Sequence, residues 1–553
     1  MREVEAAAGL AVWGADAIGA AARAALVRDG VPGLLAQKDP TLWGPEAEAE
    51  AKIRLGWIDT HRRSRELLPL IAELKEELAD LDRVVLAGMG GSSFAAEVIT
   101  RTLGRPLTVL DTTDPGQIGR AIADRLERTV VVVSSKSGTT IETDSVRRAY
   151  LGAFLDAGLT EAEAGRHFVI VTDEGSPLEE IAREMGATVV LADSDVGGRY
   201  AALTAFGLVP AALAGVDVAE LLDQAEELLP ALSAGGDNPA LALGAALGAA
   251  TAAGKDKIAL VPDGTGIVGL DDWAEQLLAE STGKEGTGML PVVLESPGAP
   301  VEGSDVLTVT LGGSLPAGAV PGGGVRPDVA VNGPLGAQFL TWEFATALAG
   351  RVIGIDPLGM PSKSESKDNM ARILEEGPPV EEPRFVDGAI EVYGGLSQSS
   401  GEAPPAGLAV TLPSTLAGVL SAVLLEARPS GYVAVMAYLD RHADADFARV
   451  RPLLAALSRR PVTFGWGPRF LHSTSLYHKD GPPLGAFLQV TGAVTTDLAV
   501  PGKPYTFGQL QAAQAAGDRQ ALVRRGRPVV RLHLTDRASG IVQLLDAVRS
   551  LGN

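Results

Sequence analysis

Between residues 83 and 191, short apolar runs alternate with longer stretches whose apolar positions recur at helical spacing. The runs 83–87, 107–110, 129–133, 168–172 and 188–191 carry few polar residues and predict strands buried on both faces. Strands alternating with helices in this way call for a parallel sheet in a doubly wound α/β domain. The rhythm resumes near residue 240, with strands predicted at 257–261, 291–294, 306–311 and 352–355. A last set is predicted at 432–438, 462–465, 487–491 and 529–534. Residues 1–80 read instead as helices rich in Ala, Leu and Glu, with Leu67, Leu70, Ile71, Leu74, Leu78 and Leu81 at helical spacing. The Gly/Pro-rich stretches 311–327 and 395–405 read as loops. The chain thus divides into an N-terminal helical segment (1–80), two α/β units (81–235 and 236–400) and a C-terminal α/β region (401–553).

Composition narrows the function classes. At 553 residues, 46% of them hydrophobic, the chain exceeds one ordinary core and can bury several. Its apolar stretches are interrupted well before the ~20 residues that a membrane span needs. The N-terminus shows no basic region followed by an apolar core, so no secretory signal and no membrane partner are expected, and a cytoplasmic location is. The lack of cysteine excludes disulfides, thiolate catalysis and Cys-ligated zinc. The histidines, at 61, 167, 442, 472, 478 and 533, form no HExxH pair, so no metal is expected. A net charge of -22 argues against a nucleic-acid partner. An anionic ligand would need a local pocket rich in N–H groups, hydroxyls or cations.

Two segments at predicted strand ends have that character. Gly88-Met89-Gly90-Gly91-Ser92-Ser93 joins a strand to a helix, where glycines let backbone N–H groups approach an anion. Alone, this turn equally suits a dinucleotide turn or a plain tight turn, although the third glycine of the dinucleotide fingerprint is missing at its expected spacing. Ser134-Ser135-Lys136-Ser137-Gly138-Thr139-Thr140 carries five hydroxyls and one ammonium in seven residues. Helix capping would need one or two hydroxyls, so their density points to phosphate. Neither segment has the nucleotide-phosphate pattern GxxxxGK[ST]; together they fit a small phosphate monoester. Gly197-Gly198-Arg199-Tyr200 places a cation at the edge of a very apolar helix, where it needs an anionic partner, structural or bound. Glu280, near the end of a helical segment and before Gly283, is a solvated helix-end residue or a base for a carbon-bound proton beside a carbonyl.

In order and approximate spacing, Gly90-Gly91-Ser92, Ser135-Lys136-Ser137, Gly197-Gly198-Arg199-Tyr200 and Glu280-Ser281-Thr282-Gly283-Lys284 resemble the glucose-6-phosphate isomerase family. The resemblance covers about 80–375, and the flanks resemble the actinobacterial branch and the isomerase half of transaldolase–isomerase fusions. It implies two doubly wound sugar isomerase domains, a sugar phosphate substrate, no cofactor, and a homodimer sharing residues across its interface. It assigns the phosphate to Gly91, Ser92, Ser135, Lys136, Ser137 and Thr140, enediolate stabilisation to Arg199, and the C2–C1 proton transfer to Glu280. Lys367 falls where the family has a ring-opening lysine, although Met360 and Ser364 replace a glutamine and a glutamate of that signature. The family's histidine is absent between Glu280 and Lys367, where Gln338 stands near the expected place. His472 is the first candidate to replace it and His478 the second, against a structural role for their polar loop. The expected reaction is the interconversion of glucose 6-phosphate and fructose 6-phosphate. The alternatives are an isomerase that also takes mannose 6-phosphate and a non-catalytic sugar-phosphate sensor.

Overall fold

The computed structural model describes residues 4–316, 319–359, 364–377, 381–396, 413–427 and 429–552, without the side chains of 364–367. Strands β1 (Val4–Ala7) and β2 (Leu10–Trp13) form a hairpin, correcting the all-helical reading of residues 1–80. Its two-residue turn, Ala8-Gly9, is flanked by alternating burial of Leu10 and Val12, a period masked in the sequence by the surrounding alanines. The helix expected over 65–81 is present as Leu67–Glu77.

The first parallel sheet contains β3 (Arg83–Gly88), β4 (Thr108–Leu110), β5 (Thr129–Ser134), β6 (Phe168–Asp173) and β7 (Thr188–Ala192), in the order β4-β3-β5-β6-β7. All five match the expected runs. Their apolar residues alternate between two cores: Val84, Leu86, Val130 and Val132 face one, and Val85, Ala87, Val131 and Val133 the other. This two-sided burial is why the strands read as continuous apolar runs.

The second sheet takes β8 (Lys257–Pro262), β9 (Leu290–Val293), β10 (Val306–Gly312) and β11 (Val329–Asn332) in parallel, and adds the N-terminal hairpin antiparallel along β11. The strand predicted at 352–355 is not formed. Val352 and Ile353 end the helix Leu335–Ile353, and the fourth parallel strand is β11. That helix is buried along nearly its whole length, so its apolar residues show no face, and a short apolar run at its end cannot be told from a strand by periodicity.

The third sheet has β12 (Phe385–Asp387), β13 (Ile390–Gly395), β14 (Tyr432–Tyr438), β15 (Val462–Trp466), β16 (Gly485–Gly492) and β17 (Val529–Leu534), in the order β12-β13-β17-β16-β14-β15. The four parallel strands match expectation. The β12–β13 hairpin was not expected; its two-residue turn is Gly388-Ala389, with Gly388 at positive φ. Tyr432, Ala434 and Met436 pack with Ala259 and Val261 of the second sheet, while Val433, Val435 and Ala437 face a separate outer core. Of the expected loop 395–405, residues 397–405 lie outside the described residues.

Ion pairs hold the third sheet's loops on the first domain. Buried Arg469 pairs with Asp111, with Glu97 at 2.8 Å and with Asp272 at 3.5 Å, and its guanidinium lies over the Phe94 ring. Arg441 adds contacts to Glu97 and Asp111. Burial would raise the Glu97 carboxyl, but Arg469 and Arg441 outweigh it and hold it at about 2, below the ordinary 4.5. The sign follows from a depressed native value: this stabilisation is complete above pH 4.5 and is lost as pH falls through about 2. Arg469→Met, which strands buried carboxylates, should lower the unfolding free energy by about 3–5 kcal/mol, read from urea transitions. Glu97→Gln should flatten the acid limb of the same measurement between those pH values.

Candidate active site

The site begins where the first sheet reverses its strand order. β3 and β5 are adjacent, their helical connections leave in opposite directions, and a crevice opens beyond their carboxyl ends. The Gly90–Ser92 turn follows β3, and the hydroxyl-rich loop follows β5. In that loop Ser135 Oγ and Thr140 Oγ1 are 3.0 Å apart, as are Ser137 Oγ and Thr139 Oγ1. Thr140 precedes the helix Ile141–Asp156 without capping it by its side chain. Its hydroxyl is therefore not committed to the role that would make the loop merely structural.

Close backbone packing joins these loops to the rest of the site. A Cβ on Gly91 would lie 1.9 Å from the carbonyl oxygen of Gly198, in the turn Gly198–Tyr200. A Cβ on Gly90 would lie 2.7 Å from Gln276 Nε2 and 3.1 Å from the backbone oxygen of His472. Only glycine lets the first loop touch three separate segments.

Arg199 is buried. Its Nη1 donates to the Glu280 carbonyl at 2.6 Å, its Nη2 to the Leu358 carbonyl at 2.7 Å, and its Nε is 4.0 Å from Glu280 Oε2. Glu280 lies in the last turn of the buried helix Leu270–Thr282, and Gln276, one turn earlier, donates to its Oε2 at 3.3 Å. Lys136 Nζ meets Asp173 Oδ2 at 2.6 Å and the carbonyls of Asp193 and Ser194. His472 ends the turn Arg469–His472 after β15, and its Nε2 is 3.1 Å from Glu142 Oε1.

These groups surround a cavity of about 820 Å³. Gly91, Ser92, Lys136, Ser137, Thr140, Arg199, Glu280 and His472 all lie on its wall. Ser135 does not; it sits at the base of the loop, bonded to Thr140. The Lys367 side chain, Met360 and the Ser364 side chain lie outside the described residues, although the helix Ser364–Glu376 places Asp368 and Met370 on the wall. His478 is off the wall and buried, bonded through Nδ1 to the Tyr432 hydroxyl at 2.8 Å, and burial pushes it down to about 3. Gln338 is likewise off the wall, donating to the Gly312 carbonyl at 2.8 Å.

Sequence reasoning missed Glu142, Gln276 and Gln514, which also line the cavity. Glu142 opens a helix, where a carboxylate is common for electrostatic reasons alone. Gln514 gave no signal. It reaches the site from the helix Phe507–Arg524, far along the chain. Glu50 and Arg54 of the N-terminal segment also reach the wall.

The cavity wall combines hydroxyls and a cation, a carboxylate beside a guanidinium, and a histidine–carboxylate pair. The strand order and the loops at the strand ends define the class, a doubly wound α/β fold with its crevice at the first strand reversal. More particularly, residues 75–285 match the phosphoglucose isomerase family. The chain is 35% identical over 222 residues to a probable glucose-6-phosphate isomerase of Haloarcula marismortui, covering 39% of this chain and 50% of that protein. It is 35% identical over 217 residues to a glucose-6-phosphate isomerase of a Cyanothece species, covering 36% and 40%. The chain thus spans half or less of the length of these relatives. In fold it is similar to the crystal structure of a hypothetical protein from Thermus thermophilus, with a TM-score of 0.52 at 23% identity, over 63% of this chain and 97% of that one. Among the described residues, no helix is long and apolar enough to cross a membrane.

Gly91→Ala would force the Gly198 carbonyl away and spread the two loops. It should lower the unfolding free energy by about 1–3 kcal/mol, read from urea transitions.

Proposed function

We propose that this protein is a glucose-6-phosphate isomerase that interconverts glucose 6-phosphate and fructose 6-phosphate through an enediolate. One observation carries the reading: Glu280, Arg199 and His472 share a single cavity with the hydroxyl-rich loop. The phosphate would be held by the Gly91 and Ser92 turn and by Lys136, Ser137 and Thr140, with Ser135 bracing Thr140 from behind. Phosphate binding, remote from the reacting carbons, positions C1 and C2. Lys136 would exchange part of its contact with Asp173 for the incoming anion.

His472 would open the ring. Glu142, as a carboxylate, accepts the Nε2–H, which leaves Nδ1 to take the proton of the anomeric hydroxyl and deliver it to the ring oxygen as the bond from that oxygen to the anomeric carbon breaks. Lys367 would assist from its own helix. Glu280 would then remove the C2 proton and deliver it to C1. Arg199, already anchored by two carbonyls, supplies fixed positive charge where the enediolate oxygens develop negative charge. A cytoplasmic homodimer is part of the proposal.

Glu280→Gln should lower kcat by about 10²- to 10⁴-fold while a non-reacting sugar-phosphate analogue still binds. Retained turnover would remove Glu280 from its role, and a wild-type protein that binds but never turns over would be a sensor. His472→Asn should slow conversion of the cyclic sugar by roughly 10²-fold, with hexose phosphate affinity nearly unchanged. A coupled dehydrogenase assay reads both.

A further inference from the structure

Gln514 is almost fully buried and makes two hydrogen bonds that fix both ends of its amide. Its Nε2 donates to Glu142 Oε1 at 2.8 Å, and its Oε1 accepts from the Thr113 hydroxyl at 2.7 Å. The Glu142 oxygen that receives Gln514 is the same one that faces His472 Nε2 at 3.1 Å. Thr113 is fully buried and Glu142 nearly so.

The chemistry of the groups fixes the direction of every bond. An ionised carboxylate only accepts, so Gln514 must turn its nitrogen to Glu142 and its oxygen to Thr113. Thr113 must then donate. Flipping the amide would set its carbonyl against the carboxylate in a buried place and leave Thr113 to meet an N–H group. Gln514 is thus locked in one orientation by the loop after β4, and it presents a single N–H to Glu142.

We infer that Gln514 is a positioning residue for ring opening: held by Thr113, it aims Glu142 at His472 and so selects the imidazole tautomer that leaves Nδ1 able to accept the sugar proton. The inference rests on the isomerase reading of the site. It assigns the C-terminal region two contributions, the imidazole and the amide that orients the imidazole's carboxylate partner. In this role Gln514 acts through Glu142.

Three variants test this. Gln514→Leu removes the donor and should lower kcat by roughly 10- to 100-fold across the pH range with KM little changed. Gln514→Glu sets a second carboxyl against Glu142. When the pair shares a proton, the neutral carboxyl donates to Glu142 and accepts from Thr113 as the amide does; when both ionise, they repel. This variant should therefore approach wild-type kcat at low pH and lose it as pH rises, through an ionisation absent from the wild type and from Gln514→Leu. Thr113→Val should show a weaker form of the Gln514→Leu defect, and it carries the test if Gln514→Leu does not fold. Wild-type kcat in Gln514→Leu, or in Thr113→Val should Gln514→Leu not fold, would overturn the inference. So would a Gln514→Glu profile parallel to that of Gln514→Leu. Because wild-type turnover and its loss in Glu280→Gln check the isomerase reading separately, an unaffected Gln514 variant would overturn this inference alone.

Discussion

The site depends on backbone reaching backbone with no side chain between. At the carboxyl end of β3, Gly90 and Gly91 let one turn touch Gly198, Gln276 and His472 at distances where a single Cβ would collide. Gly198 leads into Arg199, Gln276 precedes Glu280 by one helical turn, and His472 faces Glu142. Each proposed chemical group is therefore anchored next to a point of close contact with this glycine turn. Side chains set this way lose little freedom on binding, which is what a site holding reacting atoms to a fraction of an ångström requires.

The ionic seam explains how a C-terminal region can supply a group so exactingly placed. Arg469 lies three residues before His472 and is clamped by carboxylates of the first domain and of the Glu280 helix. A buried guanidinium with several partners adds little net stability over an apolar filling, but it defines one docking geometry, because any other would strand a charge. The apolar layer between the second and third sheets, with Tyr432, Phe487 and Ala259 among its members, supplies the bulk of the adhesion. Adhesion from apolar area and register from charge together hold the His472 loop on the cavity wall.

The first two parallel sheets reverse strand order in the same manner, yet only the first opens into the cavity. Beyond β8 and β10, Asp263 accepts from Asn332 at 2.7 Å and from the Thr265 backbone at 2.9 Å, and a Cβ on Gly312 would fall 1.9 Å from the Asp263 carboxylate. The second reversal is filled by its own side chains. A fold offers crevices at such points, and the residues at the strand ends decide which becomes a site.

The sequence by itself determined the parallel sheets and the loops at their ends. Strands buried on both faces must be apolar throughout, and phosphate chemistry requires a local density of hydroxyls and glycines; both are properties of neighbouring residues. It left undetermined whatever rests on distant partners: the hairpin of β1 and β2 inside a helix-like composition, β11 in place of a strand at 352–355, and which of His472 and His478 lies on the cavity wall. Those two histidines lie six positions apart in one polar loop, yet docking against the first domain leaves one facing Glu142 and buries the other beside Tyr432. Tertiary structure alone decided this, because hydrogen bonds between Glu142, His472, Gln514 and Thr113 join positions hundreds of residues apart, and such pairings leave no period or motif in a chain read locally.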